Sequence, residues 1–318
     1  MGTSSCERED SNYRYNSYID YLSDKAILSI RIINDNIWIL SSKQCETCYV
    51  APQMSFRPTI TQLTLINDSS FDYEEPTSVG IPCPDSKGDL YTAASNKIYK
   101  LNNIKDYELI LETGNFYFNS FAFDKNDNIW LSGYNGIAFW NGNELKVYNT
   151  NNSELPSDIT HGLTIDNSGN VWVTLDFNGL LKISGDDWEI IPNSAIPGLT
   201  DYSYLNSPIV DNENNIWFSV FSPDTNSNIL VYDSKEWIYQ YPNQNGYGTI
   251  NIDSQGIFWI IISEYENYSF KKSTLAYLFN NEWTNFDVSM IDTKILTLNA
   301  EDKKIFIGTV EGLVVIDR

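Results

Sequence analysis

Short apolar stretches alternate with polar turns along most of the chain, and one combination of the two returns seven times. An aspartate-led polar turn gives way to a β-branched or aliphatic residue, then to a large aromatic, then to further apolar residues. Clear copies are Asp124-Lys-Asn-Asp-Asn-Ile-Trp130, Asp166-Asn-Ser-Gly-Asn-Val-Trp172, Asp211-Asn-Glu-Asn-Asn-Ile-Trp217 and Asp253-Ser-Gln-Gly-Ile-Phe-Trp259. A weaker copy is Asp85-Ser-Lys-Gly-Asp-Leu-Tyr91, and two degenerate ones end at Trp38 and Phe306. The aromatic anchors lie 53, 39, 42, 45, 42 and 47 residues apart. A period in the forties with strand chemistry in every unit predicts an all-β fold, a seven-bladed β-propeller of four-stranded antiparallel blades.

The strands can be placed within a repeat. In the fourth, residues 161–166 alternate and are expected to form the innermost strand, a. Residues 166–170 make a tight turn, because Asp and Asn bond their own backbone and Gly169 is free to take a positive φ. Residues 171–174, 179–183 and 188–191 follow as strands b, c and d. No stretch has a 3.6-residue period, so helix should be nearly absent. The repeats run from about residue 27 to the end without a linker, which predicts a single propeller over 13–318 behind a disordered lead, 1–12. The seventh repeat holds strands at 295–298, 305–308 and 313–316 but no fourth. An uncovered outer edge would expose unpaired backbone groups, and the aromatic segment from Tyr13 to Tyr18 is expected to close it as strand d.

Charge narrows the partners. Forty-two acidic residues against 20 basic ones give a net charge of −22. Nucleic-acid binding requires a basic footprint on phosphates, and the only arginines are Arg8, Arg14, Arg31, Arg57 and Arg318. Nucleic acid and anionic membrane surfaces are therefore excluded as partners, and a soluble monomer is expected. No apolar run reaches transmembrane length, and Met1-Gly-Thr-Ser-Ser-Cys6 lacks the apolar core of a signal peptide. Small residues ahead of Cys6 and the hydrophilic Glu7-Arg8-Glu9-Asp10 after it resemble the processed junction of a bacterial lipoprotein. That likeness implies lipidation at Cys6 as the membrane attachment, and export to the periplasm or cell surface. An incidental cysteine is the alternative.

Cys45 and Cys48 stand with two residues between them in the b–c connection of blade one. A redox pair needs a helix N-terminus to lower its thiol pKa, and a zinc site needs a second pair of ligands. The chain offers only Cys83 and a single histidine, His161, so a structural disulfide or plain thiols are expected. The alternating acids and amides of the Asp-led turns invite a calcium reading, but a bidentate downstream Glu and flanking helices are lacking. Turn stabilisation explains them, and no metal or cofactor is expected. All nine tryptophans hold repeat positions and are expected to pack between blades. Aromatics of the connections are freer: Phe116, Tyr117, Phe118, Tyr202, Tyr204, Tyr247, Tyr265, Tyr268 and Phe270.

The segments "DKNDNIWLSGYNGIAFW" (124–140), "DNSGNVWVTLDFNGLLKI" (166–183) and "KIFIGTVEGLVVI" (304–316) resemble two-component regulator propeller repeats. That resemblance implies an exported sensor-type propeller of Bacteroidetes, with glycan ligands common in the family. The chain carries neither a kinase nor an immunoglobulin-like domain after the propeller. The turn also resembles a sialidase Asp box, but Asp166 precedes Trp172 by six positions where that motif uses five. Virginiamycin-lyase-like propellers share the repeat style yet use more than one histidine in catalysis.

The sequence therefore predicts a non-catalytic exported propeller that binds a glycan, peptide or protein partner on its loop face, around the central channel. The alternative is a propeller enzyme of glycan lyase or hydrolase type, using acids and tyrosines at the channel mouth. Eleven residues before the anchor, strand a begins at that mouth, and the repeat positions there include Asn119, His161 and Asn206. Just upstream stand Tyr117, Tyr204 and Tyr247. These six are the candidate ligand-binding residues, because concave sites with convergent polar groups and aromatic walls hold small ligands. Long b–c loops at 221–228 and 263–273 are expected to overhang one side.

Overall fold

The computed structural model describes residues 15–18, 25–33, 36–43, 61–66, 71–73, 81–103, 106–222, 225–240, 247–253, 256–266, 269–300 and 304–317. They form seven four-stranded antiparallel sheets arranged as the blades of a propeller. Blade three is Tyr117–Phe123, Ile129–Tyr134, Gly136–Trp140 and Leu145–Tyr148. Blade four is Thr160–Ile165, Val171–Leu175, Gly179–Ser184 and Asp187–Ile191, and blade five opens with Tyr204–Val210. In six blades the strands follow one another in sequence order. The seventh takes its outer strand from the other end of the chain: Tyr15–Tyr18 pairs antiparallel with Leu313–Asp317. The closing strand is where the sequence places it. Helical structure within the described residues is one 3-10 turn, Asn193–Ala195, and no helix there is long and apolar enough to cross a membrane. Cys6, Cys45 and Cys48 lie outside the described residues.

The aspartate-led turn explains why this phrase repeats. Asp166 Oδ1 accepts from the backbone N–H groups of Ser168 and Asn170, both at 2.9 Å. Its Oδ2 accepts from Asn170 Nδ2 at 2.8 Å and from the anchor indole, Trp172 Nε1, at 3.0 Å. Asp211 makes the same four bonds, with Trp217 Nε1 at 2.8 Å, and Asp253 receives Trp259 Nε1 at 3.0 Å. One carboxylate thus fixes the turn and aims the anchor at the same time, which occupies the oxygens a calcium ion would need.

Each anchor then enters an apolar cluster shared with the next blade. Trp172 packs with Leu205, Ile216 and Phe218 of blade five, and Trp217 with Phe258 and Ile260 of blade six. Phe306 of blade seven meets Ile27 and Ile39 of blade one, so the ring closes through side chains as well as through backbone. Phe116 and Phe118, expected to be free in a connection, instead belong to the cluster between blades two and three and are buried. The segment before strand a turns inward there.

On the turn face, polar clasps tie some neighbouring blades together. Asp127 and Asn214 both sit three residues after the lead aspartate in the left-handed region, with φ of 61° and 68°. Asp127 Oδ1 accepts from Ser86 N–H of blade two at 2.9 Å, and Asn214 Oδ1 from Asn167 N–H of blade four at 2.6 Å. Gly169 and Gly256 occupy the same position without a side chain to offer. The bonds from Ser86 and Lys87 hold Asp127 down at a pKa of about 2. An unfolded aspartate titrates near 3.9. The folded value is the depressed one, so the clasp contributes fully above about pH 4 and is lost as pH falls through about 2. Thermal melts of wild type and Asp127→Asn from pH 5 to 2 should therefore converge as the pH drops. A gap that stays constant over that range would rule the clasp out.

Candidate functional site

Inner strands of blades three, four and five lie side by side, which brings Asn119, His161 and Asn206 onto adjacent strands at the same level. Strand a departs from regular pairing near this level. The ladder skips between Phe118 and Ser120, between Thr160 and Leu163, and between Asn206 and Ile209. Asn119 and His161 therefore sit in β-bulges, which re-aim side chains away from the ladder direction. All three residues are half-buried. Tyr247 begins the inner strand of blade six, and its side chain lies outside the described residues.

His161 and Tyr204 come together. Their rings meet edge to face, with centroids 5.0 Å apart at 77°. Tyr204 in turn lies 6.1 Å from Phe177 at 60°. His161 Nε2 is 3.4 Å from Asp176 Oδ1. Burial pushes the Tyr204 phenol well above its ordinary pKa, and the nearby Asp176 carboxylate and Tyr134 add to the shift. Its hydroxyl stays protonated throughout the physiological range, which suits it as a hydrogen-bond donor and an aromatic wall. Tyr117 stands opposite Tyr134 across the first strand pair of blade three.

The supporting backbone is specific. Ile159 bridges Tyr134 and accepts from Asp176 N–H at 3.4 Å, so it joins the two turns. Thr160 Oγ1 accepts from Gly133 N–H and donates to Gly136 O, both at 2.8 Å, locking blade four into the b–c turn of blade three. That turn needs Gly136: its φ is +94°, and a Cβ would lie 1.9 Å from Tyr148 O. Gly179 does the same job after Asp176–Phe177, with φ +91° and Ile191 O at 2.1 Å from a Cβ. Asn193 Nδ2 contacts the carbonyls of Phe177, Thr200 and Ser203 at 3.1, 3.0 and 2.9 Å, pinning the blade four-to-five connection over the same turn.

Asp176, Phe177 and Tyr134 are absent from the sequence-derived set. A signal for Asp176 exists in the hairpin arithmetic. Ile165 pairs with Val171 and Thr160 with Leu175, so the residue after strand b must end beside the start of strand a. The expected overhanging loops are instead extended hairpins: Phe258–Glu266 pairs with Ser269–Phe279 in blade six, and Ile216–Ser222 with Thr225–Tyr232 in blade five.

Five large apolar or aromatic residues are exposed on this face of blades three to five: Tyr117 (51%), Tyr134 (47%), Ile159 (39%), Phe177 (44%) and Tyr202 (70%). Only Leu109, Phe279 and Met290 are comparably exposed elsewhere among the described residues. Scattered exposed hydrophobics are ordinary, whereas a concentrated set marks an interaction surface.

No protein-family model matches the chain, and no curated protein sequence matches it. Solved structures do. A catalytically inactive virginiamycin B lyase from Staphylococcus aureus, with quinupristin, superposes with a TM-score of 0.67 at 14% identity, over 96% of this chain and 99% of that one. The extracellular domain of a putative hybrid two component system from B. thetaiotaomicron gives 0.66 at 16% identity, over 95% of this chain but 39% of that one. PorZ, a surface component of the type-IX secretion system of Porphyromonas gingivalis, gives 0.63 at 13% identity, over 91% and 46%. Identities this low establish architecture and leave activity open. The chain is a seven-bladed β-propeller whose fold is shared by a lyase and by extracellular domains of B. thetaiotaomicron two component systems.

Proposed function

We propose that this protein is a non-catalytic, exported propeller that binds a ligand on the loop face of blades three to five. A glycan, a peptide and a segment of a protein partner all remain within that class. The concentration of exposed aromatics around the half-buried His161–Asp176 pair is the observation that carries the reading. Flat apolar faces supply contact area, and a few fixed polar groups supply orientation. Export is supported by the extracellular character of the B. thetaiotaomicron structural neighbours. On this reading any membrane attachment runs through Cys6.

A glycan-array and co-purification screen would identify the ligand. Tyr204→Ala, His161→Ala and Asn119→Ala should then each weaken binding by about 1–3 kcal/mol while leaving the melting transition in place. A crystal soaked with that ligand and showing it on the aspartate-turn face would overturn the assignment.

The pairing of His161 with Asp176 beside a phenol also favours a second reading, as a lyase or hydrolase in which these groups move a proton. Prolonged incubation with the captured ligand separates the two. Recovery of unchanged ligand supports the binding module, and cleavage abolished by His161→Ala supports the enzyme.

A further inference from the structure

We propose that the loop-face site takes an organic cation of the ammonium class; this rests on the binding function proposed above and narrows its ligand. The first ground is the chemistry of the walls. Tyr204 and Phe177 stand at 60° with centroids 6.1 Å apart, and His161 meets Tyr204 at 77°. The Phe177 ring is exposed beside this pair, and an exposed aromatic face carries a negative quadrupole that attracts cations and solvates alkylammonium groups without strong hydrogen bonds. Tyr134 stands next to them across the Ile159 bridge, with its ring half exposed.

The second ground is the charge at the same place. Asp176 directly precedes Phe177 in the chain, and His161 Nε2 lies 3.4 Å from its Oδ1. A carboxylate beside aromatic walls supplies the counter-charge that a buried cation requires. Connections at this face in blades three to five (113–117, 134–136, 149–160, 176–179 and 192–204) contain Glu154, Asp158, Asp176 and Asp201 but no lysine or arginine. A phosphate, sulfate or uronate would find no permanently charged partner in these connections. The net charge of −22 adds a long-range field that concentrates cations and repels anions. Tyr204, kept protonated, adds a donor for a hydroxyl on the same ligand and no competing charge.

Choline is a suitable probe, with its neutral carbon isostere, in which a tert-butyl group replaces the trimethylammonium, as the control. Calorimetric titration of the full chain should show choline binding about 10-fold more tightly than the isostere. Asp176→Asn should weaken choline several-fold and leave the isostere unchanged, whereas Tyr204→Ala and Phe177→Ala should weaken both. Melting curves of each variant exclude unfolding as the cause. Equal affinity for choline and isostere would overturn the cation assignment while leaving a binding site at this face. Failure of choline to bind would overturn it too. In that case a glycan-array or peptide hit lost in Tyr204→Ala would preserve the site, and hits unaffected by Tyr204→Ala would remove the site as well.

Discussion

Removing residues 1–22 should lower the melting temperature by about 6 °C and make the protein associate as its concentration rises. Tyr15 lies opposite Ile316 and Tyr18 opposite Val314, so the four-residue strand Tyr15–Tyr18 covers the middle of the outer edge of blade seven. Losing four strand residues forfeits about 4 kcal/mol at about one net hydrogen bond per residue and about 1 kcal/mol each, and each kcal/mol moves the midpoint by about 1.5 °C in a chain of 318 residues. The bared edge is Leu313–Asp317, whose apolar residues are almost fully buried in the intact ring. An exposed, hydrophobic edge strand is a template for pairing with a second molecule. Calorimetry and size-exclusion chromatography over a concentration series would test this. An unchanged transition would show that the strand contributes nothing.

Trp172→Ala should cost about 3–5 kcal/mol, the range for deleting a fully buried aromatic. The indole is 1% exposed and sits between blades four and five against Leu205, Ile216 and Phe218. Its loss opens a cavity at a blade interface and also leaves Asp166 Oδ2 without one of its two donors. Trp172→Phe separates the contributions, because it keeps most of the apolar volume and removes the N–H. That variant should cost about 1–3 kcal/mol, the penalty for a partly unsatisfied buried acceptor. Urea titration of both variants measures the difference. Less than 2 kcal/mol for Trp172→Ala would mean that the blades hold together by other means.

What repeats was legible in the sequence, and what occurs once was not. The aspartate-led turn, the aromatic anchor and the strand that closes the ring are visible because each recurs or fills a gap in a recurring pattern. His161 and Tyr204 could be placed by counting back from Trp172 and Trp217. Their neighbours Tyr134 and Phe177 carry a mark of their own, the aromatic-Asn-Gly shared by 134–136 and 177–179, whereas Asp176 has no counterpart because Gly133 stands at its position in blade three. The bulges at Asn119 and His161 are equally silent, because an extra residue in strand a changes direction without changing composition. Hairpin extensions in blades five and six looked like loops, since residues 222–228 and 263–273 are mostly polar and include Pro223, Asp224 and Asn267. The burial of Phe116 and Phe118 followed from a connection that folds inward, which depends on the neighbouring blade and not on local sequence.

Closing the ring with its first strand has a kinetic consequence. Tyr18 and Val314 are about 300 residues apart, and joining ends at that separation costs about 5 kcal/mol of chain entropy by the logarithmic loop law. The first six blades are made of near-neighbour hairpins and can form locally, so the last step should be slow and late. During synthesis at about 5–20 residues per second, the first strand waits about 15–60 s for its partner to appear. Throughout that interval the first strand is an unpaired edge whose complement has not yet been made.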